Sequence, residues 1–364
     1  GEGQWYRGDL HCHSRHSDGD APISEVIAYA EKTGLDFFAV TDHDTSMEGE
    51  PTHWIDPGYT SDTMILLYGV EWTSKKGHAN IFASRPFPYR RLWQANRELD
   101  PREAIDAAHD VGAFFSINHP TGPSRRWEYP VPLDADFIEV WNAPFVYPSR
   151  NREAVSGLWD TLLKNGHRIP GVGGSDSHDL YGFEREFNPP GRPTTWVYAD
   201  APTPEAVLEG IKAGRVTISY APHAERFELT ADCNGDGHFE TLCGDSVDAP
   251  GGPAGSSGSA DSQKVTLKMA VVPSPPADSM PEAGRGKWLW PAYTAVLYRD
   301  GKPIERVTLL ENRERAVTID VTIPPGKRVY YRAELHGTPW GSGEQKILYG
   351  RTLAVTNPIY FGYE

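Results

Sequence analysis

Five apolar runs in the first half of the chain each lead into histidine or carboxylate side chains. The runs are typical of buried strands, and helix-like stretches separate most of them. They lead into His11 and His13, Asp42 to Asp44, Glu71, His119, and Asp176 to His178. Alternating strands and helices predict a parallel β/α arrangement, in which catalytic residues gather at the carboxyl ends of the strands. The sequence therefore predicts that these distant segments meet in one polar site.

The first of these segments contains two histidines two residues apart. Leu10 to Ser14 is predicted to be a short strand, in which His11 and His13 point to the same face. With the carboxylate of Asp18 nearby, two such imidazoles can begin a metal site. Two buried histidines bonded to backbone carbonyls would give the same pattern. The ligand-type residues that follow later strands favour the metal site, and Cys12 is expected to turn away from it.

In their order along the chain, these motifs resemble those of the PHP (polymerase and histidinol phosphatase) superfamily. The matching segments are His11-x-His13 with Asp18, Thr41-Asp42-His43-Asp44, Gly69-Val70-Glu71, Asn118-His119-Pro120 and Asp176-x-His178. Gly69 to Thr73, followed by Gly77-His78-Ala79-Asn80, is most similar to the CehA/McbA-type metallohydrolases within that superfamily. The resemblance spans roughly residues 5 to 220. It implies an α/β fold, a distorted (β/α)7 TIM-like barrel that carries two or three divalent metal ions.

The resemblance also implies a ligand set. The residues are His11, His13, Asp18, His43, Glu71, His78, His119, Asp176 and His178. Glu71 would bridge two ions, and Asp18 would help to hold a third, although some relatives have histidine at its position. His78 could instead contact substrate or lie in a loop. Mixed nitrogen and oxygen ligands suit Zn, Mn or Fe and do not distinguish between them.

The expected activity is hydrolysis of a phosphomonoester or phosphodiester by metal-bound hydroxide at a di- or trinuclear centre. The predicted catalytic residues are Glu71, Asp176, His119 and Asp44, of which Asp44 could orient His43 or shuttle a proton. The predicted substrate-binding residues are Arg15, Lys75, Arg125 and Asn118.

Two other functions fit the same sequence. A carboxyl or carbamate ester hydrolase would keep the metal site and change the electrophile, as the CehA/McbA resemblance implies. Aromatic residues could then line an apolar pocket, although each is also an ordinary core candidate; these are Trp72, Trp127, Trp141 and Phe145. A metal-containing binding module is the third hypothesis, which the large ligand set disfavours, because structural sites usually close with four ligands.

The chain of 364 residues is long enough for two domains. We expect a PHP-type hydrolase domain over residues 1–224 and a small all-β sandwich over residues 225–364, where helix-like patterns give way to alternating strands. A Gly-, Ser- and Pro-rich loop is predicted over residues 249–262.

Composition limits the partners of the chain. A net charge of −15 disfavours nucleic acid as a main partner, because phosphate backbones are bound through clustered cations. No apolar run approaches the ~20 residues of a membrane span. The resemblance implies a small-molecule ester or phosphoester as the partner, and the oligomeric state is left open.

The second half of the chain contains one further ligand-like motif. Asp232, Asn234 and Asp236 resemble the opening of a calcium loop over residues 232–245, but Cys243 stands where a glutamate is needed. A hairpin turn rich in Asx residues is the favoured interpretation. Cys233 could form a disulfide with Cys243 in a secreted protein. Secretion or a periplasmic location is favoured on these signals, with a cytoplasmic location as the alternative.

Overall fold

The computed structural model describes residues 3–131, 134–143, 148–250, 261–274, 292–310, 315–337 and 352–363. The helices are α1 (Ile23–Lys32), α2 (Arg90–Glu98), α3 (Pro101–Asp110), α4 (Pro148–Arg152), α5 (Asp160–Lys164) and α6 (Pro204–Lys212), with a π-helical segment between α4 and α5. In the part of the chain so described, no helix is long and apolar enough to cross a membrane.

Nine strands form the first half of the structure. They are β1 (Gln4–Asp9), β2 (Phe37–Val40), β3 (Ile65–Ser74), β4 (Gly77–Ala83), β5 (Phe114–Ile117), β6 (Phe137–Asn142), β7 (Gly171–Gly174), β8 (Thr194–Ala199) and β9 (Val216–Ser219). In the sheet they lie in the order β9-β8-β1-β2-β3-β4-β5-β6-β7. Helices α3 and α6 begin where an acceptor side chain precedes proline, since Asp100 and Thr203 cap their first amides.

The sheet departs from a simple parallel β/α repeat. The pairs β1–β2, β2–β3, β5–β6 and β6–β7 are parallel, whereas β3–β4, β4–β5, β1–β8 and β8–β9 are antiparallel. β3 and β4 form a hairpin through Lys75 and Lys76, closed by Gly77 with φ 144°. The expectation of an all-parallel arrangement is wrong here, because a two-residue turn returns the chain antiparallel. A closed (β/α)7 barrel stays a prediction.

Two short bridges bring the segments after the strands together. Cys12, just beyond β1, bridges Ser177, just beyond β7, in parallel orientation. The amide of Asp176 donates to the carbonyl of His11 at 2.8 Å. The second bridge joins His43 and Glu71, also in parallel orientation. His11 and His13 therefore follow β1 rather than lie within it, and the two ends of this part of the sheet curl towards each other.

The described elements after residue 225 are strands, as the sequence predicts. They are β10 (Arg226–Asp232), β11 (Thr241–Leu242), β12 (Ser246–Val247), β13 (Gln263–Val272), β14 (Ala292–Arg299), β15 (Lys302–Leu310), β16 (Ala316–Ile323), β17 (Val329–Gly337), β18 (Thr352–Thr356) and β19 (Ile359–Phe361). A second sheet has the order β11-β10-β13-β16. The remaining strands extend the first sheet through pairing of β18 with β9.

This continuity changes the picture of a separate sandwich. Two sheets are present, but one of them is the same sheet that carries β1 to β9. Their buried side chains belong to one hydrophobic cluster that includes Val216, Phe227 and Val355. The boundary between residues 224 and 225 stays a prediction. Most of the predicted Gly-, Ser- and Pro-rich loop, residues 251–260, lies outside the described residues.

The loop between β10 and β11 fits the hairpin turn favoured from the sequence. Asp232 accepts hydrogen bonds from the amides of Asn234, Gly235 and Gly237 at 3.2, 2.6 and 2.8 Å. Backbone donors therefore occupy the oxygens of Asp232, as in a turn rich in Asx residues, and a calcium site in this loop stays a prediction. The possible disulfide is not formed, because Cys233 and Cys243 are both free thiols.

A buried ion pair joins the last strands to the helical layer. The guanidinium of Arg332, fully buried on β17, makes two hydrogen bonds to Asp160 at 2.8 and 2.7 Å. Its third contact is Glu334 at 2.6 Å, and the hydroxyl of Tyr330 donates to Asp160 at 2.8 Å. Such a pair is costly to break, because the partner that remains is buried with an uncompensated charge.

We expect the substitution Asp160→Asn to lower the free energy of unfolding by about 3–5 kcal/mol, since it removes one partner of a buried, bidentate ion pair. Urea denaturation followed by tryptophan fluorescence measures the loss. The control Asp110→Asn removes an exposed partner of Arg91 and should change stability little. Equal stabilities of the two variants would contradict the role assigned to the buried pair.

Candidate metal centre

Glu71 lies at the centre of a cluster of histidines. Its carboxylate is buried on β3, and ring nitrogens from four separate segments approach both of its oxygens. The distances to Oε1 are 3.4 Å from His11, 3.1 Å from His78 and 3.5 Å from His119, and those to Oε2 are 3.4 Å from His13 and 2.9 Å from His43. Both oxygens therefore face nitrogen atoms of the kind that bind metals.

Asp176 faces the same cluster from the segment after β7. Its Oδ1 lies 3.2 Å from Nε2 of His11 and 3.2 Å from Nε2 of His13. Asp176 has φ 54° and His119 has φ 26°, a left-handed region that residues other than glycine rarely adopt. Such backbone conformations are characteristic of functional sites, where the surrounding structure holds them in place.

Asp18 defines the exposed side of the cluster. Its carboxylate oxygens lie 3.2 Å from Nε2 of His178 and 3.5 Å from Nε2 of His43, with Nδ1 of His13 at 3.8 Å. The Asp18 side chain is 51% exposed, whereas the Glu71 side chain is 1% exposed. Solvent and small molecules therefore reach the cluster from the Asp18 side.

The structure brings together all nine predicted ligands. Their candidate donor atoms form four overlapping groups, each within 4.8 Å: His13, Asp18, His43 and His178; His11, Glu71 and His119; His11, His13 and Asp176; His43, Glu71 and His78. Nε2 of His11, both ring nitrogens of His13 and Oε2 of Glu71 are buried without a hydrogen-bond partner of normal geometry among the described residues. Buried polar atoms of this kind call for a ligand, and divalent metals fit the donor set.

Hydrogen bonds fix which nitrogen of several rings faces the cluster. Nδ1 of His119 contacts the Arg125 carbonyl at 3.0 Å, and Nδ1 of His178 contacts the Asp176 carbonyl at 2.8 Å. A carbonyl only accepts, so Nδ1 carries a proton in both rings, and Nε2 is the nitrogen that offers its lone pair once the ring is neutral. The Nε2 atoms of both residues point into the groups described above.

The charges of the cluster depend strongly on one another. Burial alone would lower the pKa of His43, but the carboxylates of Glu71 and Asp18 raise it to about 10. Burial likewise opposes protonation of His178, but Asp18 and Asp176 raise its pKa to about 9. His13, deeply buried beside these two rings, has its pKa lowered to about 4. Without metal, protons on some of the histidines balance the carboxylates.

Glu139 on β6 is a functional residue that the sequence analysis missed. Its Oε1 lies 2.9 Å from Nδ1 of His11, and its Oε2 accepts hydrogen bonds from the His119 amide at 2.7 Å and from Asn142 at 3.0 Å. The signal in the sequence is a single carboxylate inside an otherwise apolar buried strand. Glu139 orients His11 so that Nε2 faces the cluster.

Asp44 lies beside the cluster and outside the four ligand groups. Its oxygens accept hydrogen bonds from Asn96 at 2.7 and 2.8 Å, from the Thr73 amide at 3.1 Å and from the Tyr89 hydroxyl at 3.0 Å. Burial raises its pKa to about 6. Thr73 links Asp44 to the cluster, since the Oγ1 atom of Thr73 lies 2.6 Å from Nδ1 of His43. This geometry favours an orienting role, and proton transfer by Asp44 stays a prediction.

The predicted substrate-binding residues occupy different places. Asn118 donates to Oε1 of Glu71 at 2.9 Å and so contacts a ligand directly. Arg125 contributes its carbonyl to His119, while its side chain is exposed. The Arg15 side chain donates to the Asp20 carbonyl at 2.7 Å. Lys75 lines a cavity beside Asp44 and Thr73.

The aromatic residues proposed for an apolar pocket belong mainly to the core. Trp72, Trp127 and Trp141 are 0%, 7% and 6% exposed and pack in the main hydrophobic cluster. The ring centroids of Trp72 and Trp127 lie 6.4 Å apart, and each lies 6.2 Å from that of Phe115. Phe145 lies outside the described residues.

Comparison with known proteins finds a match to one domain family in the first part of the chain. Residues 9–84 match the PHP domain family, a segment that contains His11, His13, Asp18, His43, Glu71 and His78. An uncharacterized protein of Methanocaldococcus jannaschii is 24% identical over 151 residues, which cover 38% of this chain and 82% of that protein. The match to the PHP domain ends before His119, Asp176 and His178, which the structure brings to the same cluster.

Two solved structures are similar to this chain. One is a two-domain protein of Bacteroides vulgatus that contains a predicted PHP-like metal-dependent phosphoesterase; it is 17% identical, with 98% of this chain and 95% of that chain covered and a TM-score of 0.45. The other, from Bifidobacterium adolescentis, is an inferred metal-dependent phosphoesterase; it is 17% identical, with 56% and 94% covered and a TM-score of 0.36.

We expect Glu139→Gln to weaken metal binding by about 10–100-fold, because an amide holds the His11 ring less strongly than a carboxylate does. Metal content after dialysis against a graded series of chelator concentrations measures the change. Glu228→Gln, which removes a carboxylate from the Arg226 pair on β10, is the matched control and should bind metal normally. Normal affinity in the Glu139 variant would show that this hydrogen bond does not support the site.

We expect metal loading near neutral pH to release protons. His43 and His178, with pKa values of about 10 and about 9, carry protons before loading and must lose them to become ligands. The apparent affinity should therefore rise with pH and level off only above these values. Calorimetric titration with a divalent metal in buffers of different ionisation enthalpy counts the protons, and a heat that does not vary with the buffer would contradict this prediction.

Proposed function

We propose that this chain is a metal-dependent phosphoesterase of the PHP superfamily, with two or three Zn, Mn or Fe ions held by the nine clustered residues. The observation that carries the proposal is the overlap of the ligand groups, in which His11, His13, His43 and Glu71 each belong to two groups. Shared ligands are what a polynuclear centre needs, because neighbouring ions must lie only ~3.5–4 Å apart.

The size of the ligand set argues against a purely structural metal. A structural zinc site closes with four ligands and excludes solvent. This cluster has nine candidate ligands, and Asp18 at its edge is half-exposed. More donors than one closed site can use, together with an open side, favour catalysis over the binding-module hypothesis.

The residues have distinct parts in the proposed reaction. Bound divalent ions would activate water and offset the negative charge of a phosphoryl group. Glu71 and Asp176 supply the carboxylates at the two buried faces, while Asn118 fixes Glu71 through its amide. Glu139 and the Arg125 carbonyl hold His11 and His119 in the tautomers that leave Nε2 unprotonated.

A carboxyl or carbamate ester hydrolase is the second candidate. The observation that favours it is His78 on β4, whose Nδ1 lies 3.1 Å from Glu71, within the segment that resembles the CehA/McbA branch. That arrangement would serve an ester carbon as well as a phosphorus, because both reactions need an activated water and a polarised oxygen. The two candidates differ in substrate and share the same ligands.

We expect His11→Ala and Asp176→Asn each to reduce turnover by about 1,000-fold or more, since His11 belongs to two ligand groups and Asp176 faces both His11 and His13. The substrates are nitrophenyl phosphate, bis-nitrophenyl phosphate and nitrophenyl acetate. The rate with each, before chelation and after metal restoration, measures the loss and identifies the preferred ester. The control is His109→Ala, which removes a histidine of α3 that pairs with Asp136 away from the cluster.

The outcomes separate the candidates. Metal-dependent turnover of either phosphate substrate supports the phosphoesterase. Turnover of the acetate alone would transfer the assignment to the carboxyl or carbamate ester hydrolase. Full activity in the His11 or Asp176 variants would refute the proposed centre.

A further inference from the structure

A cavity of about 400 Å³ lies next to the metal-ligand cluster, on the side of β3 that faces α2. Its volume falls in the range of small-molecule sites. The residues that line it are Asp44, Thr45, Thr73, Lys75, Trp93, Asn96, Arg97 and Leu99. We call it the α2 cavity, and the proposed reaction does not use it.

Thr73 connects the α2 cavity with the cluster. It lines the cavity, and its Oγ1 lies 2.6 Å from Nδ1 of His43, which in turn lies 2.9 Å from Glu71. Thr73 therefore contacts both the cavity and a residue of the ligand groups, so the cavity is adjacent to the cluster.

The charged groups of the cavity favour an anion. Lys75 and Arg97 are exposed cations, and neither forms an ion pair with a carboxylate of the described residues. The Asp44 carboxylate is the acidic group of the lining, and its hydrogen bonds to Asn96, Thr73 and Tyr89 turn it into the protein. In a chain with a net charge of −15, two unpaired cations beside one cavity are a notable local excess.

Trp93 adds a fixed wall. The guanidinium of Arg97 lies 4.2 Å from its ring centroid, and that of Arg90 lies 5.6 Å from it. These contacts hold Arg97 at the cavity.

We infer that the α2 cavity binds a second oxyanion of the substrate, so that the natural substrate is a small phosphoester whose leaving group carries a carboxylate or a further phosphate. Lys75 and Arg97 grip this group, and the ester phosphate lies at the ligand cluster. This inference rests on the proposed function for the position of the ester. It assigns specificity to the cavity, which the cluster alone does not provide.

Binding of three non-hydrolysable phosphonates to the metal-loaded protein tests this inference by calorimetry. The probes are benzylphosphonate, 4-carboxybenzylphosphonate and the bisphosphonate with a second phosphonomethyl group in place of the carboxylate. We expect at least one of the two probes with a second anionic group to bind about tenfold more tightly than benzylphosphonate, as a charged hydrogen bond at a partly exposed site allows. The tighter probe identifies the second group as carboxylate-like or phosphate-like.

A double variant locates the effect. In the double variant Lys75→Met/Arg97→Met, the ratio of the affinity for the preferred probe with a second anionic group to the affinity for benzylphosphonate should fall to about one. The control is Lys76→Met, which removes the neighbouring lysine of the same hairpin, whose Nζ lies over the Tyr129 ring at 5.9 Å rather than in the cavity. It should keep the wild-type ratio.

The two failures are distinguishable. Equal affinities of all three probes for the wild-type protein, or an unchanged ratio in the double variant, would overturn the cavity inference while phosphoester turnover could persist. If a probe with a second anionic group is preferred but no phosphate ester is hydrolysed, the binding site stands and the phosphoesterase proposal fails.

Discussion

The buried carboxylate of Glu71 is the constraint on which the rest of the structure depends. A carboxylate removed from water is very unfavourable unless opposite charge or ligands surround it. Five histidines from the segments after β1, β2 and β5 and from β4 supply these neighbours. They reach Glu71 only because the sheet curls and β3 and β4 form a hairpin. The fold and the cluster therefore both reflect the need to surround the buried Glu71 carboxylate with compensating groups.

A second layer of residues holds the side chains and backbone of the cluster in position. Glu139 holds His11, the Arg125 carbonyl holds His119, and Asp42 binds the amide and hydroxyl of Ser14 at 2.8 and 2.6 Å. Imidazole rings rotate easily, and either nitrogen can bear the proton. The surrounding acceptors fix the orientation of the rings, so that the same ring nitrogens face the cluster before any ion binds.

The C-terminal strands also support the site. Asn357 makes hydrogen bonds to both backbone groups of Gly171, at 2.9 Å to its amide and 2.8 Å to its carbonyl. Gly171 begins β7, which leads directly into Asp176. Together with the Arg332–Asp160 pair, this contact ties the last strands to the elements behind the cluster. The second half of the chain is thus joined to the first by one continuous sheet and by buried polar bonds.

The sequence by itself indicated the residues of the cluster, because metal-binding side chains follow its apolar runs in an order that resembles the motifs of a known superfamily. All nine predicted ligands meet in the structure, and the change to strands after residue 225 was also predictable. Only tertiary structure decided the sheet shared by β9 and β18, the contact of Glu139 with His11, and the meeting of Lys75 and Arg97 at one cavity. Each depends on which distant segments pack together, and a single sequence does not show which segments those are.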